Sequence, residues 1–163
     1  APGVATFPNG CHVCELEIDA ETGVTTPVRY TVVDDVGTVI NELTLEGQIH
    51  GGIGQAFGQA FGEHLRYDAE SGQLLTGSFL DYAMPRADDF PDFCIGSRPV
   101  PTRTNPLGVK GGAETGTIGL PPAIVAAVVD ALKSYGVRDL AAPITANAVW
   151  AAMVAQGNDR RDG

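Results

Sequence analysis

Two series of residues recur at helical spacing between Asn41 and Leu65, one apolar and one of glycine. A glycine inside a helix costs about 1 kcal/mol relative to alanine, so this segment is helical only if close packing or ligand binding compensates. The glycine face would receive a neighbouring helix or a bulky planar ligand, with Gln48, Gln55 and Gln59 as nearby amide donors and acceptors. The glycine series is Gly47, Gly51, Gly54, Gly58 and Gly62, and the apolar series is Ile49, Ile53, Phe57, Phe61 and Leu65.

Composition limits the number of domains and the kinds of partner that are expected. Glycine accounts for 21 of 163 residues, and the hydrophobic content of 44% suffices for one domain, which we place at residues 1–156 with a loose tail at 157–163. The net charge of -10 repels phosphate backbones and anionic lipids, so neither nucleic acid nor a membrane is an expected partner. No stretch approaches the roughly 20 apolar residues of a membrane span, and the absence of a signal-peptide pattern favours a cytoplasmic location.

The order of the predicted elements indicates an α+β fold, with a mixed sheet and packed helices, because strands and helices do not alternate regularly. Alternation and β-branched residues predict the strands, while capping residues and apolar periodicity predict the helices. We expect a hairpin formed by residues 11–18 and 24–36, strands at 73–83 and 93–97, a helix from Pro122 to Tyr135 ended by Gly136, and a helix from Thr145 to Ala155 with Thr145 as N-cap.

The cysteines and histidines do not predict a metal site. On a strand, Cys11 and Cys14 point to opposite faces, and no second cysteine pair exists, so two packed thiols are expected. His50 and His64 lie far apart without a partnered acid and suit the surface or a helix end. The glycines between residues 52 and 58 have the wrong spacing for a dinucleotide fingerprint, and no phosphate loop is present.

A glycine-rich loop from Val109 to Gly116 contains a single acid, Glu114, just before an apolar segment. So little side-chain bulk would allow a large ligand to approach the backbone closely. The alternative is a solvated charge pair of Lys110 and Glu114 at a helix entrance, where the helix dipole favours an acid.

Five segments in order along the chain resemble one family, the molybdenum-binding large subunit of the xanthine dehydrogenase, aldehyde oxidase and carbon monoxide dehydrogenase group, in particular its bacterial members. The family's subunit is several times longer, and this chain is similar to its C-terminal portion only. The fold implied is therefore the α+β C-terminal part of a molybdenum-hydroxylase large subunit, incomplete for catalysis by itself. The matching segments span residues 7–19, 30–37, 46–52, 77–86 and 105–111.

The resemblance implies a molybdopterin cofactor, typically the cytosine dinucleotide form, with iron-sulfur clusters and FAD on partner subunits or domains. By analogy, Glu114 is the general base that acts on the molybdenum-bound hydroxyl. Gln48, Gln55 and the loop residues Gly111, Gly112 and Ala113 are the implied cofactor contacts. The reaction implied is oxidation of an aldehyde, an N-heterocycle or a related small molecule with water as oxygen donor. The implied partners are the remaining part of the molybdenum subunit and the iron-sulfur and flavin subunits.

Two positions depart from the family pattern. Ala113 precedes Glu114 where the family usually has glycine, and Ala56 follows Gln55 where glycine is common. Each adds a methyl group at a place of expected close approach to the cofactor. Two other interpretations stay open: a carbon monoxide dehydrogenase-type oxidation, and a noncatalytic assembly module that lacks the cofactor.

Overall fold

The computed structural model describes residues 5–159, and their side chains as far as Ala155. Three strands and three longer helices form the α+β arrangement that the sequence predicts, with short 3₁₀ turns at Ala87–Asp89 and Leu132–Tyr135. The elements in chain order are β1 (Asn9–Ile18), β2 (Thr25–Asp35), α1 (Glu42–Phe61), β3 (Phe93–Ser97), α2 (Thr115–Ala131) and α3 (Ala146–Asp159).

The three strands form one mixed sheet in the order β1-β2-β3. β1 and β2 pair antiparallel as the predicted hairpin, whereas β2 and β3 pair parallel. The hairpin turn is closed by Asp19, whose carboxylate accepts from the N–H groups of Glu21 and Thr22, and by Gly23 at φ +75°. β3 has the predicted bounds, and the expectation of a mixed sheet is confirmed.

The glycine-spaced segment is helical, as α1. Its first turn is capped by Asn41, whose side chain accepts from the N–H of Thr44 at 2.9 Å. Ile49, Ile53 and Phe57 of the apolar series are buried in the core, so packing accounts for that series. Beyond the end of the helix, Leu65 is exposed.

The close helix contact lies at Gly52, outside the predicted glycine series. A Cβ at Gly52 would lie 3.0 Å from the backbone nitrogen of Thr117, and one at Gly116 would lie 2.8 Å from the carbonyl oxygen of Ile49. α1 and α2 therefore meet backbone to backbone. Gly47 and Gly51, by contrast, have no atom within 4 Å of the place a Cβ would take, so that part of the glycine face is open.

α2 begins at Thr115, earlier than the predicted start at Pro122, and contains Pro121 and Pro122 inside it. The prediction was wrong because it treated the prolines as a helix start, whereas the first turn is set by the contact with α1. The predicted end is confirmed, since Gly136 at φ +87° follows the 3₁₀ turn. Within the 21 residues Thr115–Tyr135, an 18-residue window has a mean hydropathy of 1.5, so by length and composition one stretch could span a membrane, contrary to expectation.

The same helix contributes to the core of the described part of the chain. Leu120, Ile124 and Val128 are buried and belong to one cluster with Val32 of β2 and Ile53 of α1. The sheet and the two helices thus enclose a single apolar core. α2 contacts both β1 and α1, which fixes its N-terminal end beside the start of the hairpin.

The predicted strand at residues 73–83 is wrong. Only one isolated bridge, between Tyr67 and Leu74, is present in this region. Ser78 then starts a turn, because its carbonyl accepts from the N–H of Tyr82 at 2.8 Å. Leu80 is 94% exposed, so the apolar residues of this segment have no sheet to join within residues 5–159.

The last helix has the predicted cap. Thr145 Oγ1 accepts from the N–H of Ala148 at 3.2 Å, and α3 continues to Asp159 rather than stopping at Ala155. The helix therefore includes residues 157–159 of the predicted tail. Residues 160–163 of that tail lie outside the described residues, as do residues 1–4.

Candidate functional site

Glu114 lies at the N-terminus of α2 and lines a cavity of about 400 Å³. Its backbone is the N-cap of the helix, but its carboxylate makes no capping hydrogen bond and is exposed. The start of β1 and the glycine-rich loop face each other across the cavity. The lining consists of Pro8, Asn9, Gly10, His12, Asp34, Gly111, Gly112, Ala113, Glu114, Thr115, Ile118 and Gly119.

Lys110 does not pair with Glu114, so the charge-pair alternative is wrong. Its ammonium group donates instead to Asp35 Oδ2 at the end of β2. Asp35 also accepts from the N–H groups of Gly37 and Val100, both at 2.9 Å, and from Asn9 Nδ2 at 3.3 Å. The hydrogen bond from Lys110 is the largest cause that lowers the pKa of Asp35 to about 2. Glu114 is thereby left without the lysine as a cationic neighbour.

Of the two glutamines of α1 that were predicted as cofactor contacts, Gln48 lies near the glycine-rich loop and Gln55 does not. Gly112 and Ala113 also line a second cavity of about 300 Å³, whose wall includes Gln48. Glu114 and Gln48 therefore lie on two sides of the same loop. Gln55 is exposed two turns further along α1 and lines neither of these cavities.

The backbone of the loop fits a group rich in hydrogen-bond acceptors. The N–H groups of residues 111–114 donate to no acceptor in the part of the chain that the structure describes. Gly111 has no atom within 4 Å of the place a Cβ would take, as at Gly47 and Gly51 of α1. Ala113 is exposed, so its methyl group does not fill the space beside the loop backbone. Free N–H groups at a helix N-terminus are the usual partners of anionic or carbonyl-type oxygens.

A buried polar chain that sequence reasoning missed lies behind the same cavity. Tyr30 OH and His12 Nδ1 are 2.6 Å apart, and His12 Nε2 is 3.4 Å from Asp34 Oδ1 without hydrogen-bond geometry. Both oxygens of Asp34 lack a hydrogen-bond partner among the described residues, although the residue is 2% exposed. Burial raises the pKa of Tyr30 well above its ordinary value. The signal was the alternation of β1 and β2, which places these three side chains on one face.

Glycines make room for this polar chain. A Cβ at Gly119 of α2 would lie 2.6 Å from the ring of His12, and one at Gly10 would overlap the carboxylate of Asp34. The imidazole therefore lies directly against the backbone of α2.

The cysteines and the remaining histidines form no metal site in the region from residue 5 to residue 159. No group of three or more histidine, cysteine or acidic side chains has metal-ligating geometry there. Cys14 packs against the core, and burial raises the pKa of its thiol to about 11, whereas Cys11 is exposed rather than packed. His50 and His64 are both exposed, as predicted for surface histidines.

The sequence and the fold are both similar to those of known proteins. Residues 1–91 match the family model of the molybdopterin cofactor-binding domain. The carbon monoxide dehydrogenase large chain of Hydrogenophaga pseudoflava is 38% identical over 145 residues, which are 89% of this chain and 18% of the relative. The chain thus spans about a fifth of the length of such relatives.

Two solved structures have the same fold over most of the chain. Carbon monoxide dehydrogenase from Oligotropha carboxidovorans superposes with a TM-score of 0.87 at 35% identity, covering 93% of this chain and 19% of the other. Quinoline 2-oxidoreductase from Pseudomonas putida 86 gives 0.86 at 41% identity, covering 90% and 19%. The chain therefore belongs to the molybdopterin cofactor-binding domain family, and it is a piece of the kind found in large subunits of the carbon monoxide dehydrogenase and xanthine dehydrogenase group.

Proposed function

We propose that this chain is part of a molybdenum hydroxylase that oxidises an aldehyde, an N-heterocycle or a related small molecule with water as oxygen donor, and that Glu114 is its general base. The observation that supports this role is the position of Glu114. Its carboxylate is exposed and not paired with Lys110, and it lies at the edge of a cavity. The backbone N–H groups of residues 111–114, which also line this cavity, have no acceptor among the described residues. A general base needs such access to the proton that it accepts.

The chain's own residues would bind the cofactor through its loop and helix. The N–H groups of Gly111, Gly112 and Ala113 would donate to it, and the amides of Gln48 and Gln55 would do so from α1. When bound, the molybdenum cofactor supplies a two-electron acceptor and an acidified oxygen derived from water. The carboxylate of Glu114 would accept and hold the proton that this oxygen loses. The cytosine dinucleotide form of the cofactor is part of the proposal.

The rest of the catalytic assembly lies outside this chain. The remaining part of the molybdenum subunit would complete the cofactor pocket, and iron-sulfur and flavin subunits would carry electrons away. The matched region is about a fifth of the length of the relatives.

Replacement of Glu114 in the assembled enzyme tests the role of the base. E114Q keeps the shape of the side chain but cannot accept the proton, so turnover per molybdenum should fall by about 10²- to 10⁴-fold. Molybdenum content should stay unchanged, because an exposed side chain that caps no helix is not needed for folding. E70Q, at an exposed turn, is the matched control. Wild-type turnover in E114Q would exclude the role.

Carbon monoxide oxidation is the second candidate function, because carbon monoxide dehydrogenases are among the similar proteins in both sequence and structure. Turnover assays with carbon monoxide, an N-heterocycle and an aldehyde separate the candidates. Metal analysis addresses the noncatalytic alternative: stoichiometric molybdenum together with iron supports an enzyme, and a metal-free protein without partners supports an assembly module.

A further inference from the structure

The loop that contains Glu114 is held at two points, and Glu114 lies between them. The first anchor is Lys110, and the second is the first turn of α2 at Gly116 and Thr117. Five residues connect the two anchors, and four of them, Gly111 to Glu114, precede α2. Their backbone N–H groups and the carboxylate of Glu114 have no hydrogen-bond partner among residues 5–159.

The first anchor combines backbone and side-chain contacts. The N–H of Lys110 donates to the carbonyl of Val36 at 2.9 Å, next to an antiparallel bridge between Gly37 and Val109. The side chain of Lys110, only 9% exposed, reaches back across this bridge to Asp35. Because Asp35 is also held by the backbone N–H groups of the neighbouring Gly37 and the distant Val100, its carboxylate is a fixed point to which the lysine is tied.

The second anchor holds the start of α2 against α1. Thr117 Oγ1 donates to the carbonyl of Gly52 at 3.3 Å, and the backbone of Gly116 lies directly on that of Ile53. This anchor fixes the helix axis. It holds Glu114 only through its backbone carbonyl, which accepts from the N–H of Ile118 at 2.9 Å, while the N–H and the carboxylate of Glu114 stay free among the described residues.

We propose that Lys110, through its buried ion pair with Asp35, is a positioning residue that sets where the Glu114 carboxylate stands in the cavity. The inference rests on the proposed function of Glu114 as general base. Without the side-chain tie, the backbone changes at Gly111, which is open, and the turn from Gly112 to Glu114 moves with it, so the carboxylate shifts while the rest of α2 stays in place. A shift of about 1 Å in a catalytic group costs about a hundred-fold in rate.

The test is steady-state kinetics of K110M in the assembled enzyme, normalised to molybdenum. A positioning role lowers kcat per molybdenum by about ten- to a hundred-fold with KM changed by less than about three-fold. K110R, which restores the charge, should recover most of the loss. A purely structural role would instead reduce the amount of loaded enzyme and leave kcat per molybdenum unchanged, and that result would overturn the inference.

Two further variants keep the outcome clear. If K110M does not assemble because Asp35 is left buried and unpaired, D35N/K110M removes both charges together and should show the same loss in kcat per molybdenum. K133M replaces an exposed lysine and should have no effect. Full activity of E114Q would show that Glu114 is not the general base. An inactive E114Q together with a wild-type kcat in K110M would overturn the positioning role of Lys110 alone.

Discussion

Asp34 and Asp35 are neighbours at the end of β2, and their surroundings differ completely. Both are buried, at 2% and 5% exposure, and they point to opposite faces of the sheet. Asp35 accepts from Lys110, Asn9 and two backbone N–H groups, whereas neither oxygen of Asp34 has a hydrogen-bond partner in the described part of the chain. A buried carboxylate without hydrogen-bond donors is costly, so Asp34, which has His12 Nε2 at 3.4 Å but no hydrogen bond, should contribute less to fold stability than Asp35.

Removal of the Asp35 carboxylate should have the largest effect. D35A leaves Lys110 buried without its counter-charge and deprives the backbone donors of Gly37 and Val100, so the free energy of unfolding should fall by about 3–5 kcal/mol. Thermal or urea unfolding of the assembled protein measures it. The control is E15A, which removes an exposed ion pair with Arg29 at 4.0 Å and should cost less than about 1 kcal/mol. Equal losses would contradict the comparison.

Acid should remove the contribution of Asp35 to the free energy of unfolding over a defined pH range. Its pKa is about 2 in the folded chain against an ordinary value of 3.8, so its stabilisation is complete above about pH 4 and disappears as the pH falls towards 2. Unfolding of wild type and D35N at pH 5, 4, 3 and 2 isolates this contribution from that of other carboxylates. The difference between the two proteins should shrink as the pH falls, and a constant difference would show that the ion pair is not its source.

The set of hydrogen bonds to the Asp35 carboxylate could not have been predicted from the sequence. Lys110 and Asp35 are 75 positions apart, and the local pattern favoured the nearer acid, Glu114. The hairpin, β3 and the Thr145 cap were predictable because each depends on alternation, turn residues or capping within a few positions.

The same distinction explains the elements that were predicted wrongly. The start of α2 depends on contact with Gly52, which lies far away in the chain, and the prolines gave a misleading local signal. The apolar residues of 73–83 resemble a strand by composition, but no neighbouring strand is available to them within the described residues. Of the predicted site residues, Gly112 and Ala113 line one cavity with Glu114 and a second with Gln48, and their roles stay predictions, whereas the grouping of His12 with Asp34 depends on register between two strands.

Asparagine at position 34 gives the smallest expected change and the most direct test of the contrast. D34N removes a buried charge that accepts no hydrogen bond from the described residues and has the His12 imidazole beside it at 3.4 Å, so the free energy of unfolding should stay within about 1 kcal/mol of wild type or rise. D139N, at an exposed aspartate, is the control for the substitution itself. The measurement is unfolding at pH 7 beside D35A. A loss as large as that of D35A would mean that His12, or a donor from outside the described residues, stabilises the Asp34 carboxylate as strongly as Lys110 stabilises Asp35, and the contrast between the two carboxylates would fail.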